Sequence, residues 1–293
     1  MQLDRTRIYI RERSLPEQLD LAFRVSLEYL PNLLFFSAVV IAPLMVLNAV
    51  LLNWCLVDEF AAATISQYLA LLITLMVLEL PFATIPITVF LGRIMFRQPT
   101  DWKTVFGESA KYLLRFAWSQ LLVRGIGLGI FLLLAIRPDA ANSETITFLV
   151  FTMLYVLFAR MLRPFVNEII FLERNPIRSG KAPVITVRRR SISLHRPSTP
   201  DMIARFIMVS AACVILSLAL ILTCWFMQAM TTNNWRVDRS LVMFFVPLSV
   251  WIVAVQATVI RFVGYLDLRI RREGWEVELK VRAAAAELKG QLA

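Results

Sequence analysis

Six long apolar runs dominate this sequence, at about 32–54, 65–91, 116–136, 146–171, 204–230 and 240–263. Each reaches or passes the roughly 20 residues needed to cross about 30 Å of hydrocarbon at 1.5 Å per residue. A soluble domain of 293 residues has no use for six such runs. The composition agrees: 58% of residues are apolar and 18% charged, against roughly 25% charged in an ordinary soluble domain. The expected fold is therefore all-α, a polytopic membrane helix bundle with six transmembrane helices.

The charges between the runs predict sidedness. The stretches 1–31, 92–115, 172–205 and 261–293 hold 5, 5, 8 and 7 Lys/Arg. The alternate connections at 57–60, 137–144 and 231–240 contain only Arg137, Arg236 and Arg239. That is 25 basic residues against 3, with three more inside the runs. The positive-inside rule places both termini in the cytoplasm, which requires an even number of spans. The first 31 residues show no short apolar region near the start, so the first span is expected to direct insertion itself. Residues 1–275 form the expected transmembrane domain, and 276–293 a cytoplasmic helical tail.

The net charge of +10 falls between the runs, which points to a membrane surface and not to nucleic acid. Arg188, Arg189 and Arg190 are expected to face phosphates at the anionic inner leaflet. The expected partners are anionic lipid headgroups at the cytoplasmic face, with a membrane protein as a further candidate. Trp54, Trp235 and Trp251 fall near predicted outer boundaries and Trp118 near an inner one, as interfacial indoles do.

Local signals predict how the inner segments enter the membrane. Ser14-Leu15-Pro16-Glu17 is a helix start with a cap, a proline and a glutamate three positions on. Thr100-Asp101-Trp102-Lys103 and Ser198-Thr199-Pro200-Asp201 resemble it. Residues 173–203 otherwise read as an Arg/Pro/Ser-rich loop, with the single histidine, His195, facing solvent. The last helix is expected to extend to about Glu273 and stop at Gly274. Pro81-Phe82 and Pro164-Phe165 sit at similar depths in two return spans, consistent with three hairpins inserted in parallel.

The polar residues within the runs are the sharpest candidates for function. Glu79, Arg124 and Arg160 lie deep, Arg163 and Glu168 follow toward the inner face, and Gln256 lies in the last run. A lone charge at the bilayer centre costs at least about 2.5–3.5 kcal/mol, so these groups call for internal partners or water. The expected pairs are Glu79 with Arg124 or Arg160, and Glu168 with Arg163. Two readings stay open: a neutralised network that fixes helix arrangement, or a polar pathway or anion site used by a transporter or lipid-handling permease. Pro81 and Pro86 are expected to free carbonyls and bend the second span. The three cysteines have neither disulfide nor zinc spacing, and no nucleotide, nucleophile or metal motif is present, so no enzyme activity, cofactor or metal is assigned.

Two segments carry a family resemblance. Phe171-Leu172-Glu173-Arg174 and Tyr265-Leu266-Asp267-Leu268-Arg269-Ile270-Arg271-Arg272-Glu273-Gly274 resemble the bacterial multi-pass proteins grouped as the glycerophosphoryl diester phosphodiesterase membrane-domain-like family. The name of that family comes from fusion to a separate phosphodiesterase barrel, and this sequence contains no such barrel. The resemblance therefore implies a bacterial inner-membrane module and not the hydrolytic activity. It also implies that Asp267, Arg269 and Glu273 hold the end of the last helix against the bundle at the cytoplasmic surface. The expected function is a non-enzymatic scaffold or accessory subunit.

Overall fold

The computed structural model describes residues 11–56, 62–120, 143–177 and 185–274. Within them the chain is helical, with no strand. The helices are α1 (Leu15–Glu28), α2 (Leu30–Leu52), α3 (Ala62–Ala83), α4 (Ile85–Met95) and α5 (Trp102–Trp118). They are followed by α6 (Ser143–Leu162), α7 (Val166–Phe171), α8 (Val187–His195), α9 (Thr199–Thr232) and α10 (Val246–Glu273).

Among the described residues, four helical segments are long and apolar enough to cross a membrane: Leu30–Leu56, Ile65–Met95, Val187–Thr232 and Leu241–Glu273. Much of the predicted third span, with Arg124, lies outside the described residues, as does the tail 276–293. The predicted fourth span is not one helix. Its apolar part runs over Leu149–Leu162, and the chain breaks at 163–165 before α7 resumes. Pro164 accounts for the break, because its ring removes a backbone donor and disfavours the helical conformation of the residue before it.

The second span bends for the same reason. Pro81 lies inside α3 and Pro86 in the first turn of α4, with Thr84 between the helices. The two return spans thus share a proline break. The third does not: a π-turn at Leu241–Phe245 leads into α10, which runs unbroken to Glu273. Gly274 ends it at φ +64, the left-handed position expected of a C-terminal glycine.

The predicted helix starts are realised. The Glu17 carboxylate accepts from the backbone N–H of Ser14 at 2.8 Å and from its hydroxyl at 3.0 Å. These bonds hold Glu17 below the usual carboxylate range. Asp101 precedes α5, and Ser198 precedes α9. The loop expected at 173–203 is partly wrong, because it contains α8, capped by Thr186 accepting from the Arg189 N–H at 3.4 Å.

Two apolar clusters divide the bundle. The first joins α1, α4, α5, α7 and α8 to the start of α2 and the end of α10, around Phe90, Phe116, Ile169 and Tyr265. We call this end the base. The second lies toward the opposite end, around Tyr68, Leu72 and Trp251. Trp251 is therefore a core residue, 2% exposed, and not the boundary residue expected. Trp118 and Trp235 are exposed. At the far end Arg239 donates to Asn53 at 2.9 Å, joining the charge-poor connection at 231–240 to the turn that follows α2. Nearby, the Leu241 N–H holds Asp238 below the usual carboxylate range.

Candidate functional site

The charged residues of the base form a connected network between separate helices. Tyr265, Arg269 and Glu273 are spaced by four and so share one face of α10. Across from them stands Glu173, just after α7. Glu173 accepts from the Tyr265 hydroxyl at 2.7 Å and from Arg190 Nε at 2.5 Å. Arg190 also reaches Glu273, which pairs with Arg269 at 2.6 Å. Arg269 stands 3.7 Å from Glu173, closing the ring. A second group centres on Glu108 of α5, which pairs with Arg93 at 2.9 Å and Arg174 at 2.6 Å. The two segments that carry the family resemblance thus meet in space.

A third linkage fastens α1 to α10. Asp267, 2% exposed, accepts from the Arg13 backbone N–H at 2.9 Å and from Gln18 Nε2 at 2.7 Å. Arg271 pairs with Asp267 at 2.9 Å and also donates to the Arg13 carbonyl at 2.5 Å. α1 fully buries only Gln18 and Ala22, so these directed contacts add to the packing of Ala22, Leu21 and Val25 on the core.

The basic triplet of α8 separates. Arg190 turns into the ring, while Arg188 and Arg189 are exposed. A headgroup contact is thus open to two of the three. His195 departs from expectation altogether: it is 3% exposed and stacks on Phe165 at 5.7 Å. Its Nε2 accepts the Phe165 N–H at 3.3 Å, and Nδ1 lies 2.7 Å from the Ser191 carbonyl. The imidazole therefore takes up a donor that follows the Pro164 break.

Deeper in the spans the expected pairs are replaced by others. Glu168 is fully buried, and its partner is Arg261 of α10 at 2.8 Å, not Arg163, which is exposed. Glu79 accepts from Asn48 Nδ2 of α2 at 2.9 Å, and no ion pair joins it to Arg160 among the described residues. Arg160 donates instead to the Val77 carbonyl. Pro81 explains that contact: it lies four residues after Val77 and has no N–H to return, so the carbonyl is free for a guanidinium from α6. Gln256 is half-buried, and its Nε2 has no partner among the described residues. Arg124 lies outside them.

Sequence reasoning missed Asn48, Glu108, Glu173, Arg261 and Tyr265. For Tyr265 a signal existed in the four-residue spacing with Arg269 and Glu273. For Asn48 there was none beyond its being a polar residue in an apolar run. No family model matches the chain, nor does any curated protein or solved structure.

Proposed function

We propose that this protein is a non-enzymatic integral membrane protein, a scaffold or accessory subunit whose basic inner face meets anionic headgroups or a membrane-protein partner. In this reading six helices span a bacterial inner membrane with both termini cytoplasmic, and the chain is related to the membrane region of the family it resembles. One observation carries the reading: most of the ionisable side chains of the base, and Glu168 and Glu79 in the spans, have protein partners on other helices. Glu168 is taken by Arg261, Glu79 by Asn48 and Glu173 by Arg190. Groups that pair with one another inside the membrane meet the need of buried charges for internal partners, which supports a structural network. The gathering of the Arg-rich segments at the base, opposite the Arg239–Asn53 contact, supports the proposed sidedness.

The exposed Arg188 and Arg189 are the proposed contact with the leaflet. Each basic side chain near an anionic surface contributes about 1 kcal/mol, or roughly fivefold. Arg188→Gln with Arg189→Gln, in the full chain, should lower the phosphatidylglycerol retained from mixed-lipid nanodiscs several-fold. Unchanged retention would remove the headgroup contact. Solute flux through vesicles carrying the wild type, abolished by Glu79→Gln, would overturn the non-transporting reading.

A further inference from the structure

A cavity of about 1000 Å³ opens between α1 and the end of α4. Its floor is apolar, built by Val25, Tyr29, Leu91, Met95 and Phe262. Its rim is charged and almost balanced, and the balance can be worked through residue by residue. Arg11 pairs with Glu17 at 2.9 Å, and Arg24 with Asp20 at 3.1 Å. The Arg13 guanidinium donates to the Arg11 carbonyl at 3.3 Å. Two rim side chains remain, Arg97 and Glu28. Both are exposed, and neither has an ion pair or a side-chain hydrogen bond among the described residues.

Arg97 occupies an unusual position. Its N–H bonds to the Ile94 carbonyl at 3.2 Å and that of Gln98 to Arg93 at 2.9 Å, the bonding that closes a helix through a left-handed residue. That residue is usually glycine, yet here Arg97 takes it at φ +52. Backbone strain of this kind persists where something else favours the side chain, and it concentrates at ligand sites. Here the favoured side chain is a guanidinium at the mouth of an apolar cavity.

We infer that this cavity binds a zwitterionic aminophospholipid, its phosphate on Arg97, its ammonium on Glu28 and its acyl portion over the apolar floor. The inference rests on the membrane placement proposed above. A guanidinium matches a phosphate in charge and in hydrogen-bond geometry. Phosphatidylglycerol would satisfy Arg97 equally but, beyond its phosphate, offers Glu28 only neutral hydroxyls and no cation. The source is a lipid and not a soluble phosphate, because the floor is apolar and α1 lies in reach of lipid. Phe23, Leu27 and Leu30 form an exposed apolar stripe on and just beyond α1, at the spacing of one helix face.

The test places the full chain in nanodiscs with equal phosphatidylethanolamine and phosphatidylglycerol of matched acyl chains. Lipid surviving mild extraction is identified by native mass spectrometry. In the Arg188→Gln, Arg189→Gln background, which removes the proposed leaflet contact, the protein should retain phosphatidylethanolamine in preference, and the Arg97 and Glu28 variants are made in that background. Arg97→Gln should lower its retention about tenfold, equivalent to about 1.4 kcal/mol. Glu28→Gln should leave a lipid bound but erase the preference between the two. Arg97→Gly suits the left-handed backbone, so it should keep the fold while losing the lipid, separating binding from folding. Unchanged retention in both Arg97 variants, or a preference for phosphatidylglycerol once Arg188 and Arg189 are replaced, overturns the proposal. Soluble phosphoethanolamine competing as well as the lipid would overturn its lipid form. Because Arg188 and Arg189 are absent from this background, this site and the proposed leaflet contact fail independently.

Discussion

The base of the bundle and the long helix α9 are held by different physics. At the base, carboxylates and guanidiniums from α5, α8, α10 and the segment after α7 converge within hydrogen-bond distance, and Gln18 of α1 joins them through Asp267, over a shared apolar core. In α9, none of the residues in the most apolar 18-residue stretch is buried, against 61% in the corresponding stretch of α3 and α4. Residues 206–230 of α9 contain no charge. A helix that is apolar all round, and that leaves one face exposed while the other is only half-buried, is stable only where the solvent is itself apolar. In lipid, exposing Leu222 costs nothing, so apolar burial cannot position a helix there. Directed polar contacts can, and the chain concentrates them at the base and at the proline breaks.

The largest expected effect tests whether those contacts are mutual. Arg261→Met leaves Glu168 fully buried without its guanidinium. Breaking a buried pair on one side costs about 3–5 kcal/mol, while removing both partners together costs far less. Arg261→Met should therefore destabilise strongly in a reversible unfolding assay in detergent micelles, and adding Glu168→Leu should recover most of the loss. If the double variant is as unstable as the single one, the pair is not the unit that holds α7 to α10.

A smaller effect is expected at the α3 bend, where Arg160 serves the carbonyl that Pro81 releases. Arg160→Leu should cost about 0.5–2 kcal/mol, the range measured for polar contacts between membrane helices. Pro81→Ala restores an N–H for Val77, so the same Arg160 substitution should cost less in that background. A double-mutant cycle reads the difference, and additivity would break the link between the proline and the arginine.

The contrast between the two regions also explains what could be read in advance. Helix existence was legible because apolar runs and caps act locally: Ser14–Glu17, Asp101, Ser198 and Gly274 all stand where they were expected. The break at Pro164 went unread although the bend at Pro81 was expected, since a proline predicts a distortion and not its size. The partners in the base were largely illegible. Which guanidinium reaches Glu168 depends on how α7 and α10 cross, and sequence spacing favoured the nearby Arg163 over Arg261, 93 residues away. His195 was misread for the same reason, since its partner Phe165 is 30 residues distant. The triplet Arg188–Arg190 was legible as a charge cluster, but the division between its exposed and engaged members arises only when α8 packs.

The start of α1 gives a gentler test, one that pH can apply. Glu17 is held below its ordinary range by the Ser14 backbone N–H and hydroxyl. Its folded-state pKa is depressed, so its contribution is fully present above the unfolded value of about 4.3 and is lost as pH falls through the folded value. Amide exchange at residues 15–18 should be unchanged between pH 7 and about 5 after correction for intrinsic rates. Protection should then fall below that window, and Glu17→Gln should remove the pH dependence. Because α1 is also tied down through Asp267, the loss should stay local. Release of the whole helix would mean that the cap, and not the Asp267 contacts, anchors α1 to the base.

The smallest expected effect bears most directly on α9. Leu218 and Leu222 are 54% and 59% exposed. If lipid is their surroundings, replacing either by Ala swaps one lipid contact for another and leaves no cavity. The change in unfolding free energy should then stay within about 0.5 kcal/mol, as for substitutions away from any packed feature. The same substitution at Leu72, 1% exposed in the cluster around Trp251, should cost about 2–5 kcal/mol through the cavity it opens. A cost at Leu218 or Leu222 approaching that of Leu72 would mean that a second protein surface covers α9. Its bareness in the single chain would then mark an interface, consistent with an accessory subunit whose partner supplies the missing neighbours.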